Sequence, residues 1–283
     1  MQRAEEKSLW ARLEELPVSV YFILIILAMS YITLRPLGLP IPVTELTRDT
    51  YEQVDMLKEG DIMLIEQGYG AGTMAFHEPG LVVVMKHAIS KGVKIVLVSG
   101  SSEAPLLFER ALKKVKPEQF GYVYGKDYVH LGYYSGGEPA YAAILSDITS
   151  VFTADYQGTP IDQLDLMKEL TAPTWQKISL IYVQTAGGEV IEGWIRQAAV
   201  RYDIPLITQV NSMMVPTVLP YWPVNCEGIM NGGIGAAEYE SLSGYPGDAI
   251  KLSDMMTMGG MVVLVFLVLG NIGWFGKRMK KEG

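Results

Sequence analysis

The chain has 283 residues, 49% of them hydrophobic, with a formal net charge of −8, which is enough apolar material for one large core or two modest ones. The charge is uneven: Ile41 to Met255 holds 15 Lys and Arg against 26 Asp and Glu, while the last seven residues, "KRMKKEG", hold four bases and one acid. An acidic central region excludes nucleic acid as a partner, because its phosphates would be repelled. A single cysteine, Cys226, excludes a disulfide framework and a Cys-rich zinc site.

In residues 1–16, Leu9, Trp10, Leu13 and Leu16 recur at helical spacing, which predicts a cytoplasmic or interfacial helix with Trp10 at the headgroup level. Leu16 to Leu34 is a run of 19 residues without a charge, close to the roughly 20 a bilayer core requires, and predicts a first transmembrane helix over 17–35. Its apolar stretch is long for a signal peptide and no A-x-A site follows, so it reads as an uncleaved anchor. Residues 36–48 open on "RPLGLPIPV", whose prolines predict an extended stalk.

The domain between, 49–254, alternates strand and helix signals. "DIMLIEQ" (61–67), "VKIVLVS" (93–99), "DYVHLGY" (127–133), "ISLIYVQ" (178–184) and "PLITQV" (205–210) read as buried strands. "PGLVVVMKHAISKG" (79–92), "APLLFERALKKV" (104–115), "PAYAAILSDI", "VIEGWIRQAAVRY" and "VPTVLPYW" read as helices. Near-continuous apolar strands between amphipathic helices predict an α/β fold with a mostly parallel, Rossmann-like sheet covered on both faces. The domain also reads as two similar βαβα halves. "LIEQGYGAG" and "IYVQTAGGEV" each end a strand in a Gly-rich loop, and the next strand ends in S-x-x-x-P, Ser101 to Pro105 and Ser212 to Pro216.

These loops carry the candidate ligand site, which comprises Gly68, Gly70 and Gly72 after the first strand, then Thr185, Gly187 and Gly188, with Ser101 and Ser212. Ligands of open parallel sheets sit at the carboxyl ends of strands and on helix N-termini. The matching positions of Ser101 and Ser212 predict one structural role for both, a hydroxyl capping a helix whose first turn accepts proline. His77 with Glu78, His87 and His130 match no metal-ligand spacing, so no metal and no cofactor is expected. The tyrosine-rich run "YVYGKDYVHLGYY" reads as a half-buried strand.

Met255 to Gly276 is a second uncharged run, of 22 residues, predicting a transmembrane helix over 255–276 followed by a basic cytoplasmic tail, 277–283. The positive-inside rule places both termini in the cytoplasm of a two-pass cell-membrane protein and the acidic domain outside. Gly270, Gly273 and Gly276, with Asn271, are spaced to let this span pack on another helix. The expected partners are therefore membrane lipid and further subunits, as a homo- or hetero-oligomer.

The stretches "SDITSVFTADYQGTPIDQL" (146–164), "GGIGAAEYESLSGYPG" (232–247) and "VLGNIGWF" (268–275), with the anchor–domain–anchor plan, resemble a family of two-span bacterial and archaeal membrane proteins with an α/β domain. That resemblance implies no reaction, cofactor or catalytic residue. "TAGG" and Ser212 also resemble the Gly-Gly oxyanion turn and nucleophile of ClpP-class and signal-peptide-peptidase-A-class serine proteases. No histidine follows His130, however, and Lys251 is the only lysine of the domain after Ser212. The expected functions, in order, are a binding or scaffolding subunit of a membrane assembly, a solute sensor using the Gly-rich cleft, and a serine hydrolase.

Overall fold

A computed structural model of the chain describes residues 17–35 and 38–282; the helix expected within residues 1–16 lies outside them. The chain divides into two compact units, one of residues 41–250 and the other of the described residues in 1–40 and 251–283.

The larger unit is an α/β domain on a six-stranded sheet. Its strands are β1 (Ile62–Gly68), β2 (Lys94–Ser99), β3 (Tyr128–Tyr133), β4 (Leu180–Thr185), β5 (Leu206–Val210) and β6 (Gly228–Asn231). All pair in parallel, in the order β3-β2-β1-β4-β5-β6, the order of a doubly wound sheet.

Successive side chains of a strand point to opposite faces, and each face holds its own core. Met63, Ile65, Ile95, Leu97, Tyr182 and Ile207 build one, Leu64, Val96, Val129, Ile181, Val183 and Leu206 the other. Both sides being buried explains why the strands read as unbroken apolar runs.

Chain order fixes which helix covers which face. Residues of α3 (Met74–Ser90) and α4 (Ala104–Val115), following β1 and β2, join the first core. Those of α5 (Glu138–Ser146) and α6 (Gly188–Trp194), following β3 and β4, join the second. The helix begun by α6 runs on through a π-helical stretch, Ile195–Ala199, to Tyr202. After β5 comes the short α7 (Val215–Val218), and after β6 comes α8 (Gly232–Ser243).

Three features differ from the sequence expectation. α2 (Glu45–Asp55) starts inside the predicted stalk, because only the segment up to Val43 carries the prolines. α3 begins five residues before Pro79, which sits inside the helix and not at its start. β6, four residues long, gives the second half a third strand, so each half contributes three.

In the smaller unit, α1 (Val18–Leu34) and α9 (Asp248–Glu282) are apolar helices. Among the described residues α9 alone is long and apolar enough to cross a bilayer, over Asp248–Ile272. It starts seven residues before the predicted span. At 17 residues α1 is about 25 Å long, short of a core of roughly 30 Å. Phe22, Ile26 and Leu27 of α1 and Leu264 and Leu267 of α9 are exposed. Tyr21 meets Phe266 edge-on with ring centroids 4.7 Å apart. The Asp254 carboxylate accepts the N–H groups of Gly38 and Leu39 at 2.9 and 3.2 Å.

Candidate functional site

β1 and β4 lie side by side at the centre of the sheet, with Gly68 opposite Thr185. The helices that follow them, α3 and α6, pack on opposite faces. The two connections therefore diverge at the carboxyl ends of these strands, which is where a doubly wound sheet opens a crevice. The two Gly-rich loops singled out from the sequence are these connections.

Each loop is largely satisfied by its own surroundings. The Ala71 N–H donates to the Glu103 carboxylate at 2.8 Å, and a Cβ on Gly70 would meet the same oxygen at 2.8 Å. Gly72 faces open space. In "TAGG" the Gly187 N–H donates to Thr185 Oγ1 at 2.9 Å, so this amide is not left open for an oxyanion. Gly188 opens α6 beneath Met214, whose Cε lies 2.7 Å from where a Cβ would be.

The serines do not cap. The N-cap residues are Glu103 before α4 and Asn211 before the turn Ser212–Met214, and neither makes a side-chain capping bond. Backbone carbonyls take that role: Ala104 N–H donates to Ser101 O at 3.2 Å and Met214 N–H to Asn211 O at 2.8 Å. The expected prolines, Pro105 and Pro216, do sit in the first turns of α4 and α7.

The three histidines are engaged away from Ser212. His77 places Nδ1 3.1 Å from Thr73 O and Nε2 3.3 Å from Thr185 O, and burial pushes its pKa down. His87 pairs with the Tyr239 hydroxyl at 2.8 Å and Asp55 at 3.3 Å. His130 lies between the rings of Phe108 and Tyr156, where burial pushes it down to about 4.

Beside His77, a buried polar network closes one face of the crevice. Tyr182 OH donates to Gln209 Oε1 at 2.9 Å, Gln184 Nε2 donates to His77 O at 3.0 Å, and Gln209 Nε2 donates to Phe76 O at 2.8 Å.

The other face is open. A cavity of about 240 Å³ lies there, lined by Glu66, Gly68, Gly100, Tyr134, Gly136 and Tyr141 among others. Glu66, next to the last residue pair of β1, is fully buried. Its carboxylate accepts the Tyr134 hydroxyl at 2.6 Å and the Gly100 N–H at 2.7 Å. Burial outweighs these two bonds and pushes Glu66 up to about 8. Gly100 is required for the approach, since a Cβ there would lie 2.9 Å from Glu66 Oε1. Gly136 and Gly137, at φ +113° and +59°, turn the chain directly from β3 into α5, a conformation that favours glycine. Tyr141 is held flat against Trp194, with centroids 4.6 Å apart.

No family model, curated protein or solved structure matches this chain. The site is therefore defined by its geometry. Of the predicted residues, Gly68 lines the Glu66 cavity, whereas Gly70, Gly187, Gly188, Ser101 and Ser212 do not. Glu66, Gly100, Tyr134 and Gly136 were not among the residues expected from sequence. The available signal was a lone acid inside an otherwise uncharged buried strand, "IMLIEQG". In the smaller unit, Gly270 faces open space and Asn271 Nδ2 donates to Leu267 O of its own helix at 2.7 Å. Gly273 and Gly276 fall in the same helix, α9.

A second cavity, about 210 Å³, is lined by Lys86, Lys114, Glu240, Tyr245 and Asp248 among others. Its charges are matched internally: Lys114 bridges Glu78 and Asp248 at 2.6 and 2.8 Å. Glu240 accepts the N–H groups of Gly247, Ala249 and Ile250 at 2.9 to 3.0 Å. It is remote from the strand ends, and its lining already serves the start of α9. The Glu66 cavity is the stronger candidate on chemical grounds, because its central group is a buried carboxyl without a charged partner.

Proposed function

We propose that this chain is a membrane-anchored binding subunit of a larger membrane assembly, and that its α/β domain takes a small ligand in the Glu66 cleft. The observation that carries this reading is the position of the cleft, at the carboxyl ends of the central strands beside the divergence of α3 and α6. That is where open α/β sheets bind ligands, in concave sites with a few convergent polar groups. The exposed apolar side chains of α1 and α9 support anchoring in lipid.

In this proposal both apolar helices span the membrane. Lys277, Arg278, Lys280 and Lys281 hold the C-terminus in the cytoplasm, and the acidic domain lies outside. The bond from the Gly187 N–H to Thr185 and the bonds of His77 and His87 disfavour a serine hydrolase, since among the described residues no base is hydrogen-bonded to Ser212.

Two experiments test the proposal. Protease applied to sealed right-side-out cells should degrade the domain and spare a C-terminal tag; a protected domain overturns the topology. The full chain in mild detergent should show a higher Tm with at least one member of a panel of small polar solutes. That rise should disappear in Val190→Phe, which adds bulk at a helical residue lining the cleft. A rise that survives in Val190→Phe would place binding elsewhere.

A further inference from the structure

Glu66 is a fully buried acid whose two partners, the Tyr134 hydroxyl and the Gly100 N–H, are both neutral. A carboxylate offers about four lone-pair sites, so two remain after these bonds. None of the residues lining the cavity is Lys, Arg or His, while three are tyrosines, Tyr133, Tyr134 and Tyr141. The nearest charged groups on the covering helices are also acidic. Glu138 of α5 and Glu189 of α6 act on Tyr141 together with Glu66. Arg196, which pairs with Glu138 at 2.7 Å, is not among the residues lining the cavity. The start of α5 alone would favour an anion, but an anion entering here would face Glu138 and Glu189, and no lining residue is basic.

We infer that the ligand of this cleft is a small organic ammonium ion, held by the Glu66 carboxylate and flanked by the lining tyrosines. This rests on the cleft being the binding site, as proposed above. An ammonium group fits a buried carboxyl whose lining holds no basic side chain, because it supplies the counter-charge that the site lacks. The cavity, about 240 Å³, is below the usual 300–1,000 Å³ range of drug-sized sites, which limits the ligand to a few carbons around its nitrogen.

Binding is an exchange of cations. Burial pushes Glu66 up to about 8, so the incoming ammonium takes the place of a proton on its carboxyl, which leaves to solvent, and the charge inside the cleft is conserved. Tyr134 and Tyr141 stay neutral, since burial pushes both hydroxyls well above their ordinary range.

The test is calorimetry on the full chain in detergent, with choline, ethanolamine and 3,3-dimethylbutanol, the uncharged isostere of choline. Choline or ethanolamine should bind at least tenfold more tightly than the isostere. Affinity should rise about tenfold per pH unit from pH 6 to 8 and then level. Titrations in buffers of different ionisation enthalpy should show close to one proton released per ligand at pH 7, a readout that needs no variant. Glu66→Gln should abolish both the charge preference and the proton release while keeping the Tm rise with any neutral ligand. Equal binding of choline and the isostere, or a charge preference that survives in Glu66→Gln, overturns the ammonium assignment and leaves the cleft standing. Ammonium binding that persists in Val190→Phe overturns the cleft as its site. Binding of solutes from the broader panel, with none of the ammonium probes bound, overturns the assignment as well.

Discussion

Gly80 of α3 lies against the carboxamide of Gln209 in β5, so that a Cβ on Gly80 would overlap the Oε1, Cδ and Nε2 atoms together. Gln209 is fully buried and ties β5 to the carbonyls of Phe76 and Gly232. Gly80 is inside a helix, where alanine is ordinarily better by about 1 kcal/mol. Here the sign reverses. Overpacking costs about 1–3 kcal/mol and the displaced amide bonds a similar amount. Gly80→Ala should therefore lower the Tm of the full chain by roughly 5–10 °C; an unchanged or higher Tm would contradict this packing.

Gly188→Ala should behave differently. The atom its Cβ would meet is Met214 Cε, the end of a flexible side chain, and thioether chains adapt readily. Alanine also suits the first turn of α6 better than glycine. The expected change in stability is below about 1 kcal/mol in either direction. A loss as large as that of Gly80→Ala would show that "TAGG" is more rigid than its contacts imply.

Stability should fall as pH rises from 6.5 to 8. Glu66 is raised from 4.5 to about 8 in the folded chain, so its favourable contribution is complete below the unfolded value and is lost as pH climbs through the folded one. The slope for one such group is roughly 1.4 kcal/mol per pH unit. Glu227 and Glu240, also raised by burial, act in the same direction. His77, His87 and His130 are lowered by burial; they add stability as pH rises through 6.5, with up to about 0.4 kcal/mol each still to come above it, which offsets part of the Glu66 decline. Thermal melts between pH 6.5 and 8 should show the decline, and Glu66→Gln should flatten most of it. A wild-type profile that Glu66→Gln leaves unchanged would mean that Glu66 is ionised in the folded protein.

Glu240 organises the start of α9 by accepting three N–H groups, those of Gly247, Ala249 and Ile250. Removing the acceptor leaves these donors without a partner, at about 1–3 kcal/mol for each one that stays buried. Glu240→Ala should lower the Tm and make the segment Gly244–Ile250 sensitive to proteolysis, and Glu240→Gln should do so less. Unchanged cleavage there in Glu240→Ala would show that another group caps this turn.

The parts of the fold carried by periodicity were legible. The segment 104–115 was read to its observed ends, because its apolar stripe is bounded by a proline in the first turn and a left-handed Lys116 at the end. β6 was missed because four residues, "GIMN", make too short an apolar run. The first turn of α3 was missed because Pro79 looks like a helix start, whereas the glutamine network engages the Phe76 and His77 carbonyls just before it. In the site, glycine marked the strand ends correctly but not the cavity. Whether a loop is open depends on which side chain crosses it, as Glu103 and Met214 do, and that is a tertiary fact.

The carboxylate of Glu103 on the Ala71 N–H has a wider consequence. The loop after the first strand is where dinucleotide-binding relatives of this topology seat a pyrophosphate. Here the chain supplies its own resident anion, so a free phosphate must compete with a tethered carboxylate at high effective concentration. The mouth of this loop is thus closed by a side chain of the same domain, and Glu103→Ala would free the Ala71 N–H for an acceptor from outside.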